Sequence, residues 1–154
     1  MKKRFLFTVI IMVIMAVPSL KAQWRIGPGL GFVTETRTLL LSATVNYDLP
    51  QNWGLMGAYD YIFAETASHT WWGLDVAGTY TFNIQKAKGK LYGIGGLNFL
   101  SSSWTGHNKS YTGLDLGAGY RIPIGGKMEL VPDAIITVGS ESYLRLGVKL
   151  MFGL

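Results

Sequence analysis

From residue 23 onward, apolar side chains recur at every second position in one stretch after another, and no stretch keeps a helical period for long. Between 38 and 49, Leu39, Leu41, Ala43, Val45, Tyr47 and Leu49 alternate with Leu40, Ser42, Thr44, Asn46 and Asp48. Between 70 and 82, Trp72, Leu74, Val76, Gly78, Tyr80 and Phe82 alternate with Trp71, Gly73, Asp75, Ala77, Thr79 and Thr81. Successive strand side chains point to opposite faces, so this period marks strands with one apolar face. Eight such segments are delimited by clusters of Gly, Pro, Asn, Ser and charge, at roughly 24–34, 38–49, 52–63, 70–82, 90–101, 111–122, 128–138 and 143–153. The segment 90–101 is ambiguous, because Leu91, Leu97 and Phe99 share one phase while Tyr92 and Ile94 share the other with Asn98. The connections fall around 35–37, 50–51, 64–69, 83–89, 102–110, 123–127 and 139–142. They leave no room for the helices that parallel strands need, so the expected order is antiparallel and up-and-down.

Charge sharpens the two faces. Arg25, Asp48, Asp60, Asp75, Asp115, Arg121, Glu129, Asp133, Arg145 and Lys149 all fall on the small-and-polar phase. The remaining charges after residue 22 fall in turns or at strand ends, and none falls on the apolar phase. An Arg or Lys on a lipid-facing strand position costs about 2–4 kcal/mol at the bilayer midplane, which accounts for such exclusion. The charged phase also carries Gly27, Gly29, Gly31, Gly54, Gly73, Gly113, Gly117, Gly119 and Gly147. Small residues suit the crowded interior of an eight-stranded barrel and make a poor exterior.

Aromatics on the apolar phase gather near strand ends: Trp24, Phe32, Tyr47, Trp53, Phe63, Trp72, Phe82, Phe99, Tyr120 and Phe152. Rings at both headgroup levels form the girdles of membrane barrels. The expected fold is therefore all-β: an eight-stranded antiparallel up-and-down transmembrane β-barrel, apolar phase toward lipid. Its ten charges are expected to pair inside a plugged lumen, since buried charges persist only when paired. A soluble secreted calyx of lipocalin type, with aromatics inside around an apolar ligand, is the alternative reading of the same alternation.

The first 22 residues read as a separate segment. Lys2, Lys3 and Arg4 precede an uncharged apolar run from Phe5 to Val17, and Leu20-Lys21-Ala22 ends it in a small-x-small pattern. This predicts a cleaved secretory signal peptide at 1–22 and a barrel domain at 23–154. Four of the 14 Lys and Arg lie in that segment, leaving ten against nine Asp and Glu. The basic balance of the whole chain is thus no argument for nucleic acid. With no cysteine there is no disulfide, thiol chemistry or lipoprotein anchor.

The glycine-punctuated runs Tyr92-Gly93-Ile94-Gly95-Gly96-Leu97 and Leu114-Asp115-Leu116-Gly117-Ala118-Gly119-Tyr120-Arg121, with the alternating last strand, resemble the small outer-membrane β-barrel superfamily. That group includes outer membrane protein X and the membrane domain of outer membrane protein A. The resemblance implies a bacterial outer-membrane location, both termini in the periplasm, and connections near 36, 66, 105 and 140 outside the cell. It also implies that Leu146, Val148, Leu150 and Phe152 form a C-terminal signal read by the barrel-assembly machinery. In the family the aromatic is commonly last, whereas Gly153 and Leu154 follow it here. Implied surroundings are outer-membrane lipid and lipopolysaccharide, and a monomer is expected.

Catalytic chemistry has little to draw on. Some small barrels modify lipid A, which needs an activated Ser or a His base. The two histidines, His69 and His107, both fall in expected external loops, with Ser68 and Glu65 near the first and Ser101, Ser102, Ser103 and Ser110 flanking the second. No run matches a deacylase or acyltransferase motif, and two separated His suggest no metal or cofactor site. The stretch 101–111 is expected to be the longest external loop, with Trp104 and His107 as possible surface contacts. The expected role is structural or surface-interacting and non-enzymatic, with a lipid A-modifying enzyme as the alternative.

Overall fold

A computed structural model describes residues 23–63, 69–85, 87–104 and 106–154, apart from the side chains of His69 and Thr70. The expected signal peptide, and Glu65, Ser68 and Lys86, lie outside the described residues. Eight strands follow one another: β1 (Gln23–Val33), β2 (Thr38–Asp48), β3 (Trp53–Phe63), β4 (His69–Phe82), β5 (Lys90–Trp104), β6 (His107–Gly125), β7 (Met128–Gly139) and β8 (Tyr143–Gly153). Each pairs antiparallel with the next, and β1 pairs with β8 to close the barrel. Closure leaves no sheet edge within the wall, which is what a sheet in hydrocarbon requires.

The phase assignment follows from exposure. Leu30, Leu39, Leu55, Val76, Leu114, Leu116, Ile136 and Val148 lie on the outside, while Asp60, Asp75, Asp115, Arg121, Arg145 and Lys149 are buried. Of the expected girdle, Trp24, Phe32, Trp53, Phe63, Trp72, Phe82, Phe99 and Phe152 are exposed on the outer face. Tyr47 and Tyr120 are half-buried on the same face, Tyr47 against Trp24 with ring centroids 4.6 Å apart. The ambiguous fifth strand turns Tyr92, Ile94, Asn98 and Leu100 inward and Leu91, Leu97 and Phe99 outward.

The stretch 101–111 is not a loop. β5 and β6 continue as a ladder through Ser101↔Ser110, Ser102↔Lys109, Ser103↔Asn108 and Trp104↔His107, turning at Gly106 with φ +83. Beyond the membrane both strand faces meet water, so the alternation that betrays a strand is absent although the backbone ladder persists. For the same reason β6 runs past its expected end at 122 to Gly125, with a bulge between Pro123 and Gly125 before the turn into β7.

Candidate functional site: the charged lumen

Inside the barrel, polar and apolar residues form successive layers, which consecutive strands cross in opposite directions. At the end that carries the termini, Arg25 bonds Asp48 and reaches Glu129 at 3.2 Å, while Arg121 lies 3.5 Å from the other oxygen of Asp48. Next comes an apolar cluster of Met56, Ala77, Tyr92, Ile94, Val131, Ile135 and Met151. The guanidinium of Arg121 sits 4.6 Å above the Tyr92 ring, joining the two layers by a cation–π contact. At the centre Arg145 bonds Asp60, Asp75 at 2.6 Å and Asp115 at 2.8 Å, and beside it Lys149 meets Asp133 at 2.6 Å. A second apolar cluster of Val33, Leu40, Ile62, Leu100 and Tyr143, with Trp71 and Tyr111 packed against it, lies toward the other end.

All ten charged residues singled out in the sequence therefore meet in seven ion pairs within one lumen. Neutral partners that charge patterning does not reveal complete the centre. Thr137 donates to Asp115 at 2.6 Å, Asn98 donates to Asp75, and the Tyr143 hydroxyl donates to Asn98 at 3.1 Å. Asn98 was the one available signal, an amide inside an otherwise apolar and glycine-rich strand. Each extra bond satisfies a lone pair or proton that burial would otherwise leave unmet.

Glycine makes room for these side chains. A Cβ on Gly119 would stand 2.5 Å from the Tyr92 ring, and one on Gly29 would stand 2.7 Å from Cγ of Lys149. The long chains of β5 and β8 thus lie across bare backbone of their neighbours. Among the described residues, a small cavity lies beside Gly29, Gly31, Ser42, Asp60, Asp133 and Lys149, sized for about one water molecule.

The remaining candidates stand apart from this network. His107 is exposed at the start of β6, where its backbone lies in the ladder opposite Trp104. Trp104, its cross-strand partner, is exposed on the hairpin. The backbone of His69 pairs with Trp104 at the start of β4. Among the described residues, no group of three or more His, Cys, Asp or Glu is arranged to hold a metal ion. Leu146, Val148 and Phe152 are exposed and Leu150 half-buried along the outer face of β8.

The closed eight-strand wall matches solved proteins over most of the chain. The N-terminal β-barrel domain of Pseudomonas aeruginosa OprF matches at a TM-score of 0.73, covering 86% of this chain and 97% of that one at 13% identity. The chain has the fold of the small outer-membrane β-barrels. Ail, the attachment invasion locus protein of Yersinia pestis, matches at a TM-score of 0.60 and 16% identity, covering 86% of this chain and 96% of its own. The outer membrane enzyme PagL shares the fold at a TM-score of 0.53 and 13% identity, covering 84% and 98%. No protein-family model and no curated protein sequence matches the chain. The barrel thus places the protein by architecture, and the same architecture also occurs in an enzyme.

Proposed function

We propose that this chain resides in the bacterial outer membrane as a plugged barrel with a structural or surface-interacting role and no enzymatic activity. The observation that carries the reading is the lumen. Two charged layers alternate with two apolar clusters, and the remaining internal space beside the central charges suits about one water molecule. An interior filled by these side chains supports a plugged barrel over an open pore. The outside supports the location: its exposed large side chains are apolar across the wall and aromatic toward the ends.

In this reading the termini end faces the periplasm, and the β5–β6 hairpin with Trp104 and His107 is the surface presented outside the cell. β8 carries the assembly signal on its lipid-facing positions Leu146, Val148, Leu150 and Phe152. A hydrolytic site on His107 would need a hydroxyl and a carboxylate within bonding distance, and His107 has neither among the described residues.

Membrane fractionation, with electrophoresis of boiled and unboiled samples, tests the location. Recovery in the outer membrane with a heat-dependent mobility shift is the expected result; recovery as a folded soluble protein would favour the calyx. Lipid A from cells with and without the gene should have the same mass. A change in its acylation would overturn the non-enzymatic reading and favour the lipid A-modifying alternative.

A further inference from the structure

The outer wall is interrupted over β4–β6. Gly78 pairs with Gly95, and Gly93 pairs with Ala118, so four neighbouring lipid-facing positions carry little or no side chain. A Cβ on Gly95 would meet nothing within 4 Å, and one on Gly78 would meet only the Gly95 carbonyl oxygen at 3.8 Å. Ala134, paired with Ala118, continues this run of small residues, so the gap is a groove floored largely by backbone. Its walls are rings. Tyr80 and Phe82 pack edge-to-face at 5.3 Å on one side, with Phe82 bordering Gly93, and Tyr120 stands on the other. The Tyr120 hydroxyl accepts from the Gly89 backbone N–H at 3.2 Å, which ties that ring to the turn at the foot of the groove.

That foot is basic. Lys88 and Lys90 are exposed, and neither forms an ion pair with a described residue. Lys127, in the neighbouring turn between β6 and β7, is also exposed and unpaired. The carboxylates at this end, Asp48 and Glu129, are committed to Arg25 and Arg121 inside the mouth. Among the described residues, the turns and hairpin of the opposite end carry both signs, Glu35, Arg37, Glu141 and Lys109. Lysines without an ion pair among the described residues therefore coincide with an apolar channel that leads away from them along the wall. Gly93 and Gly95 lie roughly 10 and 17 Å from Lys90 at the usual rise per strand residue, the direction in which an acyl chain descends from a headgroup.

We propose that the groove and its lysines hold one anionic phospholipid of the periplasmic leaflet, its phosphate on Lys88 and Lys90 and one acyl chain over Gly93 and Gly95. The assignment rests on the membrane reading above, with the termini end in the periplasm. Charge complementarity selects the headgroup, because a lysine ammonium is a compact partner for phosphate and neither lysine has another anion to neutralise. The aromatic walls select a chain over a protein side chain bulky enough to clash with them.

The test is native mass spectrometry of the refolded full chain in detergent, titrated with phosphatidylglycerol or phosphatidylcholine of identical chains. One phosphatidylglycerol adduct should form in preference to phosphatidylcholine. Lys88→Gln with Lys90→Gln should weaken that adduct about tenfold or more, in line with the attraction of two basic residues to an anionic headgroup. Gly95→Leu, whose side chain enters open space, should weaken it while leaving the lysines in place, and Lys109→Gln at the other end should not. Equal binding of the two lipids, or an adduct undiminished by both the lysine and the glycine variants, would overturn the proposal. So would displacement by inorganic phosphate or preference for lipid A, which would assign the lysines to a free anion or to the outer-leaflet lipid. A heat-dependent mobility shift in each variant shows that the barrel is intact, so failure of the lipid site is distinguishable from failure of the barrel reading.

Discussion

Replacing Arg145 by Met tests the central idea that the lumen is an ion-paired core. Arg145 is 5% exposed and bonds three carboxylates, those of Asp60, Asp75 and Asp115, which are 4%, 1% and 0% exposed. The methionine keeps most of the length of the side chain but removes the sole cation within bonding distance of all three. Removing one partner of a buried ion pair typically costs 3–5 kcal/mol, roughly, because the other charge is left unpaired. With three acids sharing one guanidinium, the loss is expected toward the upper part of that range. The chain refolded into phosphatidylcholine vesicles and unfolded in urea, followed by tryptophan fluorescence and gel mobility, gives the value. Removing the stranded carboxylates by adding Asp60→Asn, Asp75→Asn and Asp115→Asn should recover most of it, since neutral amides can bond one another and Thr137. A loss below about 1 kcal/mol for Arg145→Met alone, the scale of an exposed pair, would refute the view that these charges are buried and interdependent.

Lys149→Ala strands Asp133, its 2.6 Å partner, and is expected to destabilise the barrel by about 1–3 kcal/mol or more, the cost of an unmet buried acceptor; adding Asp133→Asn should return much of this in the same urea assay. Gly119→Leu drives a side chain into the Tyr92 ring, which a Cβ alone would approach to 2.5 Å, and should cost about 1–3 kcal/mol, relieved by Tyr92→Ala. Val148→Arg places a charge on an exposed outer position between Leu30 and Pro132, and should lose about 2–4 kcal/mol in vesicles. Equal folding of Val148→Arg and wild type, measured by the fraction of heat-modifiable band, would show that this face does not meet lipid.

The wall was legible in the sequence because two solvents meet there. Wherever one strand face touches lipid and the other the lumen, as in β2 and β4, apolar and polar residues alternate and the phase can be read directly. The reading failed where that contrast vanishes. Along 101–111 both faces lie in water, so Ser, Thr, Asn and His look like a loop although the ladder continues to Trp104↔His107. In β5 it was blurred by interior apolar residues, Tyr92 and Ile94, that belong to a lumen cluster and not to the lipid face. The lumen charges were legible as a set but not as partners. Nothing in the spacing of Arg145 relates it to Asp60 on β3, Asp75 on β4 and Asp115 on β6, because those distances are set by how the closed sheet wraps across its own interior.

The alternation of layers also bears on where such a protein can interact. A lumen of charge alone would need water to dissolve it, and a lumen of hydrocarbon alone would leave the glycine-lined wall with nothing to hold its register. Apolar clusters above and below the central ion pairs separate them from bulk water, which strengthens each electrostatic contact. The same arrangement fixes strands far apart in sequence, since Arg145 on β8 holds β3, β4 and β6 at once. Once the interior is committed to this task, change inside the barrel is costly, while change at its two ends is cheap. The two ends differ in kind: one carries unpaired lysines beneath a lipid-facing groove, the other a polar two-stranded hairpin with Trp104 and His107 at its turn. Substitutions at that hairpin, such as Trp104→Ala with His107→Ala, should therefore leave urea stability unchanged within about 0.5 kcal/mol. A loss comparable to that of Arg145→Met would mean that the hairpin is part of the folding core and not a surface held out by it.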